Sequence, residues 1–318
     1  MEINAYNALP LARGKMSGLR LRVWFKEVRA PFLLLPTIFV PLGVAVAWVH
    51  GSFDLSTAIL TFVAAVCMHA SVNVLNDYFD FRSGLDLATT PTPFSGGSRV
   101  LPERQLTPRS VLLAGIAFLG VGLAVGVYFL FRFAFSPVLL GIIAISSVAI
   151  VAYTTVLSRW GVGELVAGLN FGPLLILGTY FLQTGSLAVE PFILGTTLGI
   201  MVAGILYINE FPDTFADMEV GRRHLVVRWG KAKAAARFRV LVLGAYVVLV
   251  AGVVTGFVTP VALISLLALP KAWAASSVLS REHDKVMELI PGMANMVMAT
   301  LWTGLLLLAE YVIMGLLP

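Results

Sequence analysis

Charge is scarce in this chain of 318 residues: only 12% are Asp, Glu, Lys or Arg, about half the share found in soluble domains. With 58% of the residues hydrophobic, too little polar side chain remains to cover a water-soluble globule. Cys67 is the single cysteine, which excludes intrachain disulfides and cysteine-built metal centres; it lies in an apolar run and reads as packing. His50, His69, His224 and His283 have no partners at ligand spacing and read as structural. The basic N-terminal thirty residues lack a short apolar core with a small-residue cleavage site, so no secretory signal peptide is evident. Low-complexity segments are also missing. The net charge of +5 does not mark a nucleic-acid binder, because the cations lie between hydrophobic segments and no aromatic-basic recognition motif accompanies them.

What is there is a succession of apolar runs. Crossing the hydrocarbon core takes about 20 mostly apolar residues. The stretches 31–50, 55–75, 108–131, 136–157, 162–183, 190–210, 238–258, 260–280 and 290–316 qualify. The expected fold is all-α, a polytopic membrane protein of nine transmembrane helices, with residues 1–20 a basic N-terminal arm and 21–318 a single transmembrane domain. With nine spans, the N-terminus and the loops after even-numbered spans share one side. That side carries 21 of the 22 Lys and Arg, counting Lys271 with the nearby loop and leaving only Arg132 opposite. By the positive-inside rule it is the cytoplasmic side of a cell inner (plasma) membrane. The loops after the second and sixth spans are long, about thirty residues each, and loops of that length at a functional face tend to be lids or binding loops.

Two acidic clusters close apolar runs on that side. Asn209, Asp213 and Asp217 recur every fourth residue after the run Pro191–Ile208, which puts them in one stripe of a helix. Glu210 is about 100° off that stripe. Asn73, Asn76, Asp77, Asp80 and Asp86 form the matching cluster after the second run. Carboxylates near bilayer depth cost about 2.5 to 3.5 kcal/mol each on insertion scales, and clustered ones repel. A cation relieves both, and oxygen-only ligands suit Mg²⁺ better than zinc. Ringed by Arg and Lys, the two clusters point to a diphosphate held through bridging Mg²⁺. The bland alternative is a pair of solvated helix ends capping into loops. Ion-pathway acids, as in a cation-coupled transporter, would sit nearer mid-membrane at broken helices.

Asn76-Asp77-Tyr78-Phe79-Asp80-Phe81-Arg82-Ser83-Gly84-Leu85-Asp86 and Asn209-Glu210-Phe211-Pro212-Asp213-Thr214-Phe215-Ala216-Asp217 resemble the two aspartate-rich motifs of the UbiA superfamily of intramembrane prenyltransferases. Within it, Thr92-Pro93-Phe94-Ser95-Gly96-Gly97-Ser98-Arg99, Gly163-Glu164-Leu165, Phe171-Gly172-Pro173-Leu174, Gly178-Thr179-Tyr180 and Gly221-Arg222-Arg223-His224-Leu225-Val226-Val227-Arg228 look most like the menaquinone-type 1,4-dihydroxy-2-naphthoate prenyltransferases. The resemblance implies helices around a central cavity open to lipid, with the two long loops as a cytoplasmic roof. It implies Asn76, Asp80, Asn209, Asp213 and Asp217 as Mg²⁺ ligands, with Asn73, Asp77 and Asp86 close to the diphosphate.

The implied reaction is Mg²⁺-dependent transfer of a polyprenyl group from a prenyl diphosphate to an aromatic acceptor. Alternative acceptors are homogentisate, a hydroxybenzoate, a chlorophyllide or a glycerophosphate lipid. Arg159 leads the cationic candidates for the leaving group, followed by Arg82, Arg99, Arg222 and Arg223. Tyr153, Phe171 and Tyr180 are candidates for facing the allylic cation, against the plainer reading of helix packing and interface anchoring. Glu164 is a candidate for the acceptor hydroxyl or for capping a loop end. The expected partners are the two substrates and the lipid bilayer, with no nucleic acid; oligomeric state and prenyl length are not legible.

Overall fold

The structure, a computed structural model, describes residues 17–157 and 160–317. All regular elements among them are helical. Helix α1 (Ser17–Glu27) precedes α2 (Leu34–Val49), which continues a 3-10 turn, Ala30–Leu33. There follow α3 (Leu55–Ser83), α4 (Pro108–Arg132), α5 (Pro137–Ala152), α6 (Gly163–Thr184), α7 (Val189–Glu219), α8 (Lys231–Val254), α9 (Pro260–Glu282) and α10 (Met287–Leu316). By length and composition, 8 of the described helices can cross a membrane. The fourth apolar stretch differs from expectation: it forms the 16-residue α5 and then widens into a π-helical turn, Tyr153–Leu157.

Local signals explain the helix ends. The Asp54 carboxylate accepts the Thr57 N–H at 2.6 Å and caps α3, and Thr107 caps α4 through the Ser110 N–H at 3.2 Å, with Pro108 in the first helical position. Helix α3 stops at Gly84, whose φ of 85° is the left-handed conformation that favours glycine. In α6, Pro173 cannot donate a backbone hydrogen bond, and the helix widens there into a π turn, Asn170–Leu174.

Helix α7 is the hub. Before its polar stripe, from Pro191 to Ile208, it is largely apolar around its circumference, as a buried helix is, and Leu194, Leu198, Met201, Ile205 and Ile208 are all inside. It packs against α6, α8 and α10, while α2 packs against α6 and α10. Small residues set the α6–α7 distance. A Cβ at Gly172 would strike the Gly195 carbonyl and lie 2.5 Å from Gly199 Cα. Without a hydrophobic drive between helices in lipid, such close backbone packing is a main source of association. Helices α3 and α4 pair along their length, and α5 rests lightly on both. A cavity opens between this group and α6–α7.

Gly172→Ala is expected to lower thermal stability in detergent by about 1–3 kcal/mol, the usual cost of overpacking. Gly244→Ala, where nothing lies within 4 Å of an added Cβ, should leave the unfolding temperature unchanged or raise it slightly.

Candidate active site

The cavity holds about 400 Å³, and its charged lining residues gather at one end. Asn73, Asn76 and Asp80 enter it from α3, and Asn209, Asp213 and Asp217 from α7. These are successive turns of two helices, so each stripe follows from its spacing. Away from this end the walls are mostly apolar, with Met68, Phe129, Leu139, Ile143 and Leu182 among the lining residues beside the hydroxyls of Thr61, Ser146 and Thr179. The lining on α3 runs from Asp80 to Thr61, about 28 Å of helix at 1.5 Å per residue.

Two arginines meet the carboxylates. Arg222, from the loop after α7, donates to Asp80 on α3 and, at 3.3 Å, to Asp217 on α7. It thereby ties the two acidic helices together. Burial opposes its charge, but Asp80 and Asp217 outweigh that and raise its pKa. Arg29 pairs with Asp77; its φ of 51° is uncommon for a residue with a side chain. Asn76 donates to Asp80 at 2.7 Å. Asn209 Oδ1 and Asp213 Oδ1 are buried without a hydrogen-bond partner. Amide and carboxylate oxygens of this kind, converging from two helices, fit Mg²⁺.

The first long loop is anchored by the same carboxylates. The Ser98 N–H donates to Asp77 at 2.9 Å, and the Ser98 hydroxyl donates to buried Glu27 at 2.9 Å. Arg99, also left-handed with φ 66°, donates to the Asp86 carbonyl. Gly97 lies so close to the Asp86 carboxylate that a Cβ would come within 2.7 Å of it, and its φ of 74° also demands glycine. Phe94, Ser95, Gly96 and Gly97 thus reach the cavity wall, as do Arg222 and His224 from the second loop. Burial first, then Asp77 and Asp80, push Asp86 well above the usual carboxylate range.

Several expected residues are placed elsewhere. Arg82 lies over the Tyr78 ring, 5.8 Å from its centroid, and Arg223 is exposed; neither lines the cavity. Tyr180 turns away as well: it is 2.9 Å from His50 Nδ1, and a two-residue step along α6 separates it from Gly178, which does line the cavity. Asp77 is occupied by Arg29 and Ser98 rather than facing the lumen. Arg159 lies outside the described residues. Tyr153 and Phe171 do line the cavity, each on a π-helical turn.

Residues first read as structural enter the site. His69 lines the cavity and meets Phe171 edge-on with ring centroids 4.4 Å apart. His224 places Nε2 3.0 Å from Asp217 and Nδ1 3.1 Å from Glu210. Burial lowers its pKa, but Glu210 and Asp217 overcome that and bring it to about 10. Arg29 was legible only as a basic residue before the first span, although it lines the cavity. No spacing rule joins these residues to the motifs, since the partners lie on other elements. Glu164 is buried and accepts the Leu225 N–H at 3.0 Å, so it does cap a loop helix, Leu225–Trp229.

The profile of the UbiA prenyltransferase family matches residues 33–312. The 1,4-dihydroxy-2-naphthoate octaprenyltransferase of Escherichia coli (strain K12) is 27% identical over 233 residues, 72% of this chain and 76% of the relative. The protein of the same name from Bacillus subtilis (strain 168) is 26% identical over 246 residues, 74% and 76% of the two chains. Among solved structures, a UbiA homolog from Archaeoglobus fulgidus bound to GPP and Mg²⁺ aligns with a TM-score of 0.60 at 16% identity, covering 90% of this chain and 99% of that one. The fold is therefore shared.

Glu27 generates a pH prediction. Burial, followed by the Asp77 charge, raises its pKa from 4.5 to about 8. The folded chain keeps a proton there that the unfolded chain releases. Its stabilising contribution is complete below pH 4.5 and lost as pH rises to about 8. Unfolding temperatures measured from pH 4.5 to 8.5 should fall less steeply for Glu27→Gln than for the native chain.

Proposed function

Because this chain belongs to the UbiA prenyltransferase family, we propose that it transfers a polyprenyl group from a prenyl diphosphate to 1,4-dihydroxy-2-naphthoate, a step in making a quinone. Prenyl transfer is the activity of the family. The naphthoate acceptor is favoured by two relatives of that name, each matched over about three quarters of its length. The observation that carries the reading is the division of one cavity. Carboxylates and amides from α3 and α7 converge at its polar end, and a mostly apolar stretch of cavity, lined on α3 from Val72 to Thr61, leads away from them.

The diphosphate lies at the polar end and the prenyl chain along the apolar walls. Asn76, Asp80, Asn209, Asp213 and Asp217 hold Mg²⁺, which when bound neutralises charge on the diphosphate and stabilises it as a leaving group. Arg29 and Arg222, already among these carboxylates, are positioned to meet the remaining phosphate oxygens. The allylic C–O bond breaks with its electron pair going to the diphosphate, a carbon of the electron-rich ring supplies the pair for the new C–C bond, and that carbon then gives up its proton to the released diphosphate, which restores the aromatic ring. Tyr153 and Phe171 offer ring faces or edges beside that path. The apolar walls and the residues Phe94–Gly97 keep water from the allylic cation. The one-sided Lys and Arg distribution supports placing this end of the cavity at the cytoplasmic face.

Asp80→Asn and Asp213→Asn should each reduce diphosphate release from a prenyl diphosphate, naphthoate and Mg²⁺ by about a hundredfold or more, with the chain still expressed and folded. Chelation should abolish turnover and Mg²⁺ should restore it. Tyr180→Phe, outside the cavity, should keep turnover within about twofold. Near-normal activity in either Asn variant removes the metal-site assignment, and no release with any aromatic acceptor removes the reaction.

A further inference from the structure

A second polar group lies beside the diphosphate stripe and is not used by it. Glu164 on α6, Glu210 on α7 and His224 from the following loop bring one ligand atom each to within 4.8 Å of one another. Glu210 and His224 line the cavity, as do Gly163 and Val166 on either side of Glu164. Because Glu210 is about 100° around α7 from Asn209, it faces the wall next to the metal stripe rather than the stripe itself.

This group has acceptor capacity that the protein does not fill. Glu164 is 3% exposed; its Oε1 takes the Leu225 N–H, and its Oε2 is buried with no hydrogen-bond partner. Glu210 Oε2 has His224 Nδ1 at 3.1 Å as its partner, which leaves the rest of that carboxylate's acceptor capacity open. An ionised carboxylate accepts at about four lone-pair sites and donates none, and leaving such an oxygen buried and unpaired is costly. The missing partners are donors, and an aromatic acceptor of the proposed reaction carries them as hydroxyl groups.

We propose that Glu164 and Glu210 form a hydroxyl-binding subsite for the acceptor, their carboxylates taking the O–H donors of a dihydroxyaromatic ring while His224 braces Glu210 against Asp217. The proposal rests on the prenyl-transfer reading. The ring then lies between this wall and Phe171, next to the diphosphate end where the new bond forms. A hydroxynaphthoate enters with its hydroxyl edge toward Glu164 and its carboxylate turned away from that buried, unpaired oxygen. A site of this kind also rejects ring ethers, because they bring no donor to the buried oxygens.

The test is anaerobic titration of the purified full chain in detergent with 1,4-dihydroxynaphthalene and with 1,4-dimethoxynaphthalene. The native chain should bind the diol at least about tenfold more tightly than the ether, a difference of about 1.4 kcal/mol. Glu164→Gln and Glu210→Gln should each bring that ratio within about threefold, with ether binding unchanged. The Kd for a prenyl thiodiphosphate with Mg²⁺ should stay within about twofold. Equal binding of diol and ether by the native chain overturns the proposal without needing any variant to fold. It is also overturned if the Gln variants weaken the thiodiphosphate instead, or if Zn²⁺ displaces the diol and this competition vanishes in the variants, which would make the group a metal site. Selective diol binding in a chain that prenylates no aromatic ring would remove the reaction and leave the subsite standing. Equal binding with normal transfer would do the reverse.

Discussion

Arg222 joins two helices that would otherwise repel each other at their ends. Asp80 on α3 and Asp217 on α7 both contact its guanidinium, and Asp77 is paired by Arg29. Buried carboxylates of like charge are tolerated only with cations among them. The arginine comes from the loop after α7, so neutralising the two helices also fixes the path of that loop. The first long loop is fixed by the same economy: Asp77 and Glu27 both hold Ser98, and that contact brings Gly96 and Gly97 to the cavity. Charge balance at the polar end therefore determines how both loops lie.

The apolar part of the fold supplies the opposite requirement. Helix α7 is held centrally by backbone-close contacts with α6 through Gly172, Gly195 and Gly199, and its polar stripe begins where its apolar run ends at Ile208. Nearly one membrane thickness of α3 lines the same cavity from Asp80 to Thr61. One helix pair thus presents carboxylates at one end and hydrocarbon along the rest. A substrate with a diphosphate head and a polyprenyl tail has the same division.

Much of this was legible in the sequence because it depends on spacing within single elements. The four-residue spacing of Asn209, Asp213 and Asp217 and the run of Asn73, Asn76 and Asp80 set which side chains share a face, and these residues do meet across the cavity. The apolar runs gave the spans, apart from the fourth, where the π turn at Tyr153 shortens the regular helix. What escaped depends on pairing between elements. Tyr180 sits in a favourable motif, but its hydrogen-bonding partner is His50 at the far end of α2. Arg29 reaches Asp77 from another element, out of a left-handed backbone position that no sequence signal marks. His224 has no neighbour in sequence that marks it, because Glu210 and Asp217 reach it from the preceding helix. The π turn at Asn170–Leu174, which presents Phe171 to the cavity, had Pro173 as its only visible sign.

The central claim is that the carboxylates of α3 and α7 act as one diphosphate site. A double-mutant cycle on Mg²⁺-dependent binding of a prenyl thiodiphosphate, using Asp80→Asn, Asp213→Asn and the double variant, tests it most directly. One shared site predicts that the two losses fail to add, with a coupling of about 1 kcal/mol or more. Losses that sum to within about 0.5 kcal/mol would mean that the two helices bind independently, and would contradict the account.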